Sequence, residues 1–371
     1  MSNQAAAPSV GRIAASTAAI TVSVVIPVRN GARYLRRTLP VLRRELPAGW
    51  EIVVVNDHSS DDSADVARQF ADRVLLSPVD GNDMDARNAG VTAAQGHTIL
   101  FLDADIRVTR AALEELVAGL QAPGVTMTVG IYSEHSDLET LCGHYKNLWV
   151  RYTYLRSARE LRWMNTAFSA VRKADIAAIG YLEAFDGCKR GGSDIDFGRR
   201  IVEAGGRVLL MKEVDCDHLK EMSLRALLRN DYHRTRGFFA MAIQSGEIRR
   251  VAGGRSYGNI SPAFMLGVVS VALVPAALLL APFRPRLGVG VAGGALLVQQ
   301  LCGLGFLRYA APRLGARALL LPGLYFLDQL ACAAGLAVEA VHLVVSGRLR
   351  PAPTPAPAGA QASSVPGTPV P

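Results

Sequence analysis

Apolar runs recur along the first half of the chain, and helical patterns fill the gaps between them. The run TVSVVIPV (21–28) is rich in β-branched residues and predicts a buried strand. GARYLRRTLPVLRREL (31–46) follows, with Leu35, Leu39, Leu42 and Leu46 at helical spacing and an expected kink at Pro40. EIVVV (51–55), RVLLS (73–77) and TILFL (98–102) predict three more strands, separated by helices in DDSADVARQFA and DARNAGVTAAQ. Strand and helix in this rhythm predict an α/β domain with a mostly parallel, doubly wound sheet. Ligands in such sheets sit beyond the carboxyl ends of the strands, and that is where the polar clusters fall.

The pattern changes after Ser261. PAFMLGVVSVALVPAALLLAPF (262–283) and LGVGVAGGALLVQQLCGLGFL (287–307) carry no charge, and each matches the ~20 residues needed to span a bilayer. A third run, 318–345, contains Asp328, Glu339 and His342 and is a weaker span. Runs this long fit a transmembrane region of two or three helices (262–346) better than the buried core of a soluble domain. The expected layout is a disordered leader (1–20), the α/β domain (21–220), a basic juxtamembrane segment (221–261), the apolar helices, and a disordered Pro/Ala-rich tail (347–371).

The chain has 371 residues, a formal net charge of +8 and a mean hydropathy of +0.20. Positive charge combined with apolar character favours a membrane over nucleic acid as partner, and there are no aromatic stacking platforms among the basic residues. Arg225, Arg229, Arg234, Arg236, Arg249, Arg250 and Arg255 precede the first apolar run, where each would favour anionic headgroups by ~1 kcal/mol. Five cysteines without a CxxC pair exclude a disulfide framework or zinc module and suit a reducing compartment. Arginines occur in both short loops between the runs, so charge bias leaves the topology open.

Four polar clusters carry candidate chemistry. Strand one ends in Pro27-Val28-Arg29-Asn30-Gly31, without the GxGxxG of a dinucleotide site. Strand two ends in NDHSSDD, where Ser60 or Asp61 is a natural helix cap but Asp57 is not needed for one. Arg87 and Asn88 open the helix before strand four, where a guanidinium suits a diphosphate or a surface ion pair. Strand four itself ends in Asp103-Ala-Asp105.

The order and spacing of VSVVIPVRNG, VVVNDHSSDD, ARNAG, ILFLDADI and GGSDIDFGRRIVEAGG resembles glycosyltransferase family 2, built on the GT-A fold, from about Thr21 to His218. The resemblance implies a nucleotide-diphosphate sugar donor. Pro27, Asn30, Asp57, Arg87 and Asp103 would bind it. Asp103 and Asp105 match the DxD motif that holds Mg²⁺ or Mn²⁺, a hard cation suited to carboxylate and phosphate oxygens, and His218 is a plausible third ligand. Asp194 falls on the general base of an inverting displacement, with Ser193 where relatives carry glutamate. Asp196 and Arg236 would lie on the acceptor side. Where processive relatives carry Q-x-x-R-W, this chain has Arg234-Thr-Arg236-Gly-Phe, which favours transfer of a single sugar.

The expected activity is therefore transfer to an acceptor hydroxyl or phosphate, lipid-linked (a polyprenyl phosphate or glycolipid), on the cytoplasmic face of a multi-pass inner-membrane protein. A membrane-anchored phosphohydrolase with Asp103 as nucleophile is the first alternative, and Arg107 at the fifth motif position counts against it. A non-catalytic nucleotide-sugar-binding module is the second, but it would need no base at Asp194. Tyr132, Trp149 and Trp163 offer either a stacking surface for sugar or buried aromatic core.

Overall fold

The computed structural model describes residues 20–135, 137–163, 165–180, 193–248 and 261–347. Four strands, β1 (Val22–Val28), β2 (Trp50–Asn56), β3 (Arg73–Leu76) and β4 (Thr98–Leu102), lie in the order β3-β2-β1-β4, every neighbour parallel. Val24, Val25, Ile52 to Val55 and Ile99 to Phe101 are all fully buried. Burial on both faces is why these runs are continuously apolar instead of alternating. The crossovers are α1 (Ala32–Glu45), α2 (Ser63–Arg68) and α3 (Asp83–Ala93). α1 continues through Pro40 as one helix and buries Leu35, Leu39 and Leu42 against the sheet.

Beyond β4 the sheet turns mixed. The remaining elements are β5 (Ile106–Arg107), α4 (Arg110–Ala118), β6 (Val125–Tyr132), α5 (Leu141–Arg156), β7 (Glu160–Leu161), β8 (Phe168–Arg172), α6 (Lys173–Ile179), α7 (Ser193–Glu203) and β9 (Arg207–His218). The order continues β4-β8-β6-β9-β5, with β8 antiparallel to both neighbours and β6 parallel to β9. Reversal at β8 brings its leading end against the trailing end of β4, where the Asp103 amide donates to the Ala167 carbonyl at 2.9 Å. The expectation of a mostly parallel sheet thus holds as far as β4.

Among the described residues four α-helices follow: α8 (Leu224–Gln244), α9 (Pro262–Leu280), α10 (Pro285–Leu314) and α11 (Leu321–Val345). Ser261 caps α9 by accepting from the Phe264 amide, and Pro262 stands in the first turn, where its missing N–H costs nothing. α9 and α10 pack on each other, while α11 lies along α8 of the preceding domain. Small residues permit the close approach: a Cβ on Gly335 would stand 2.4 Å from the Tyr232 carbonyl oxygen. Asp328 accepts from the Tyr145 hydroxyl at 2.8 Å, and Glu339 from Arg236 Nε at 2.8 Å. The acids that weaken the third apolar run therefore face the α/β domain.

The helical segments Pro262–Leu280 and Pro285–Val345 are long and apolar enough to cross a bilayer. Of the 24 exposed large apolar side chains among the described residues, 20 lie between Leu266 and Val345. An apolar exterior confined to one end of the molecule is what a membrane or partner interface requires. The leader through Ala19, Cys188, Arg249, Arg250, Arg255 and the tail beyond Gly347 fall outside the described residues.

Candidate active site

The carboxyl ends of β1 and β2 are tied together by an interlocked loop pair. Asn30 and His58 both adopt left-handed backbone conformations, with φ of 51° and 50°. Non-glycine residues pay for such geometry only where side-chain bonds fix it. Here the Asn30 carboxamide oxygen accepts from the Ser60 amide at 2.7 Å, and His58 Nε2 meets the Ser77 carbonyl at 3.0 Å. α2 begins with Asp62 at its N-cap position, one residue later than sequence suggested. Asp61 instead bridges two helix starts, accepting from the amides of Ser63 at 3.0 Å and of Ala32 at 3.1 Å. Pro27 is half-buried in β1, one residue before the loop.

Asp57 sits one residue past β2, buried, with its amide donating to Val28 at 2.7 Å. Its carboxylate accepts from the Gly81 amide at 2.8 Å and lies 3.6 Å from Arg29. This acid is thus held rigidly at the crevice between the two loops.

Asp103 and Asp105 differ in surroundings. Asp103 is one-third exposed and accepts from Arg87 at 2.6 Å; Arg87 is itself buried and also donates to Asp83 at 2.9 Å. Arg87 therefore braces the first acid of the pair. Asp105 is buried, with His218 Nε2 at 3.9 Å and Lys220 Nζ at 3.6 Å. Pairing of β5 with β9 creates this contact, since Ile106 lies opposite His218. The His218 ring stacks on Tyr132 with centroids 4.3 Å apart and planes 8° from parallel. Burial pushes the imidazole below the usual histidine range, against the pull of Asp105, so the neutral ring carries a lone pair.

Asp194 lies in the first turn of α7, its carboxylate accepting from the Ile195 amide at 2.9 Å. Burial pushes this carboxyl above the usual carboxylate range, and the positive charges of Arg234 and Arg87 pull it back. Arg87 therefore links the two halves of the cluster, bonding Asp103 while acting on Asp194. Asp196 is taken up within its own helix, accepting from Arg199 at 2.7 Å and Arg200 at 3.0 Å. Arg236 pairs with Glu339. Arg234, two residues earlier, lies over the Phe238 ring and lines a small space with Lys146, Asp231 and Phe264, and its charge acts on Asp194. The structure joins Arg87 to Asp103 and sets His218 and Lys220 beside Asp105; the charges of Arg87 and Arg234 act on Asp194, and Asp196 and Arg236 are engaged elsewhere.

Sequence reasoning missed Lys220, although an extended chain carries residues 218 and 220 on one face. Trp149 belongs to an aromatic cluster with Phe264, Phe306 and Tyr325, and Trp163 packs on Tyr154 at 5.2 Å.

Among the described residues no three His, Cys, Asp or Glu side chains gather at metal-binding distance. The donor set nonetheless suits a hard divalent ion that completes its shell elsewhere. Mg²⁺-type ions are commonly held by one or two carboxylates plus substrate phosphates and water. Asp105 with a neutral imidazole, next to the one-third-exposed Asp103, meets that requirement.

Residues 23–177 match the family model for glycosyl transferase family 2. A pre-mycofactocin glycosyltransferase of Mycobacterium tuberculosis is 30% identical over 196 residues, covering 50% of this chain and 40% of the relative. The uncharacterized glycosyltransferase EpsJ of Bacillus subtilis is 29% identical over 124 residues, 32% of this chain and 36% of that one. The chain thus spans two fifths or less of the length of these relatives. A mannosyltransferase of Pyrobaculum calidifontis, solved with GDP-Man and Mn²⁺, superposes with a TM-score of 0.51 at 17% identity over 88% of both chains. That likeness concerns the fold, and its extent takes in C-terminal helices as well as the α/β domain. Over residues 23–177 the chain is thus similar to glycosyl transferase family 2, and its α/β domain has the GT-A fold.

Proposed function

We propose that the protein transfers a single sugar from a nucleotide-diphosphate donor to a lipid-linked acceptor, with inversion, at the cytoplasmic face of a membrane. The observation that carries this reading is the shared position of Arg87, bonded to Asp103 on one side and electrostatically coupled to Asp194 on the other. A donor-binding carboxylate and a proton acceptor must flank one reacting carbon, and one arginine that bonds Asp103 and acts on Asp194 supports that reading.

In this reading Asp57 accepts from the nucleobase, and the Pro27 to Asn30 segment lines the nucleoside pocket. Asp103 and Asp105, with His218, would hold Mg²⁺ or Mn²⁺ when the ion is bound. The ion supplies charge neutralisation for the leaving group. Lys220, beside Asp105, adds a second positive charge on the same side. Asp194 takes the proton of the acceptor as its oxygen attacks the anomeric carbon from the face opposite the diphosphate, so one displacement inverts the centre. A carboxyl held above its ordinary range is a stronger base than a solvated aspartate, which favours this step. The exposed apolar helices hold the site at the bilayer, where a lipid-borne acceptor would be presented.

The test combines ligand stabilisation with one substitution. A thermal-shift panel of nucleotide sugars with and without Mn²⁺ identifies the donor, because stabilisation follows ligand concentration over dissociation constant. With that donor, Asp194→Asn is expected to lower transfer by about 10²–10⁴-fold while the donor-induced shift persists. Unimpaired transfer by the variant would remove Asp194 from the reaction.

A further inference from the structure

Between the catalytic domain and the apolar helices lies a cavity of about 650 Å³. α5 forms one wall, the start of α9 a second, and α10 with α11 the third. Its lining has an aromatic part, Trp149, Tyr152, Phe264, Phe306 and Tyr325, and a polar part, Arg156, Ser157 and Arg162 beside Glu160. Glu160 is bonded to Arg207, and Arg162 approaches Glu247 at 3.8 Å. Arg156 is exposed and contacts the Tyr152 ring face at 5.6 Å, with no carboxylate within pairing distance among the described residues.

We propose that this cavity is the seat of the acceptor, a lipid with a chain of several apolar units ending in a phosphate. The inference rests on the lipid-acceptor reading above and names where and how that acceptor is held. Three features specify the occupant. The lining residues Ala263 and Phe264 stand on the same helix, α9, as Leu266, Val269 and Leu273 of the exposed apolar belt. Its volume is that of a site for a sizeable small molecule. Its polar part is basic, which suits a phosphate and not a neutral alcohol.

The cavity also borders the reaction site. Trp163, one of its lining residues, packs on Tyr154 at 5.2 Å, and the charge of Asp194 acts on the Tyr154 phenol. Trp149 and Phe264, 5.3 Å apart, separate it from a smaller space of about 40 Å³ that Arg234 lines. The arginine that acts on Asp194 is thus one aromatic layer away. A chain seated among these rings would present its head group toward the catalytic cluster.

Cys302 lines the cavity and reports its occupancy. The experiment uses the full chain in detergent micelles with Cys142→Ser and Cys188→Ser; Cys216 and Cys332 are buried. The rate of maleimide labelling at Cys302 is followed with farnesyl phosphate, farnesol or inorganic phosphate. Farnesyl phosphate at ten times its dissociation constant is expected to slow labelling about tenfold by mass action, with inorganic phosphate without effect. Ala263→Trp, at a lining position on the first turn of α9, should abolish that protection and transfer to farnesyl phosphate while the nucleotide-sugar thermal shift is retained. Labelling indifferent to farnesyl phosphate, with the donor shift intact, overturns the cavity assignment and leaves the reaction reading standing. Protection by farnesol equal to that by farnesyl phosphate overturns the phosphate head. Protection that persists while Asp194→Asn transfers normally upholds the cavity and overturns the base.

Discussion

Asp194 is poised between two opposing influences, and each has its own signature in a pH profile. Burial raises its pKa; Arg234, the Ile195 amide and Arg87 lower it. If Asp194 is the proton acceptor proposed above, it is active only when ionised, so kcat/KM should fall as pH drops through this raised value, on an acid limb above the ordinary aspartate range. Arg234→Gln removes the largest opposing charge and should move the limb to still higher pH. An unmoved limb would assign it to another group. The linkage has the opposite sense for stability: a carboxyl with a raised folded-state pKa favours the fold while protonated, and this contribution is lost as pH rises through that value. Arg87 invites a separate measurement. Arg87→Lys keeps the charge but cannot reproduce the fork that serves Asp103 and Asp83 together, so donor affinity should weaken, by about tenfold for each ~1.4 kcal/mol of lost bonding. Isothermal titration with the donor found in the panel would read it.

Motif glycines and strand order decide what an element can do. Gly90, within ARNAG, packs α3 onto the sheet: a Cβ there would stand 2.3 Å from Val25 Cγ1 and 3.2 Å from Val55 Cγ2. Both neighbours are fully buried strand residues, so neither can move aside. Gly90→Ala should destabilise the domain by about 1–3 kcal/mol, the range for overpacked cores, seen as a lower urea midpoint with unchanged slope. The same packing explains why the first four strands were legible in sequence: continuous β-branched runs have no other comfortable burial than a parallel sheet covered on both faces. β8 was not legible, because its short run FSAVR carries no sign of direction and both its partners, β4 and β6, precede it by 40 residues or more. The two acids after β4 could be located from the strand that bears them. Lys220 could not, because its place beside Asp105 depends on the pairing of β5 with β9, an antiparallel contact between segments 110 residues apart. Residues that act through long-range pairing are hidden from local pattern in this way, whereas motif residues at strand ends are not.

At the scale of the whole molecule, the catalytic domain and the apolar helices are joined by buried polar ties as well as by packing. Asp231 of α8 takes Lys146 of α5 at 2.5 Å, and Asp328 of α11 takes Tyr145 of α5 at 2.8 Å. Farther along, Arg236 of α8 takes Glu339 of α11. Acids in an otherwise apolar helix are costly unless paired, so their placement against α5 and α8 fixes which face of α11 meets the domain. The Arg236–Glu339 pair allows this to be measured. Glu339 is buried, and Arg236→Met would strand its charge; loss of one partner of a buried pair costs about 3–5 kcal/mol. Replacing both, as Arg236→Met with Glu339→Leu, removes the stranded charge and should restore most of the stability, because apolar residues of similar volume can replace a buried pair at little cost. Thermal unfolding in detergent, with the donor-induced shift as control for an intact nucleotide site, separates the outcomes. If the single and double variants melt together, the pair does not register the helices on the domain, and packing at Gly335 against Tyr232 must do so alone. If only the single variant falls, the ion pair selects the docked arrangement without adding to its strength. That arrangement is the one in which α8 sets Arg236 against Glu339 of α11 and Arg234 beside Asp231 and Phe264, where its charge acts on Asp194.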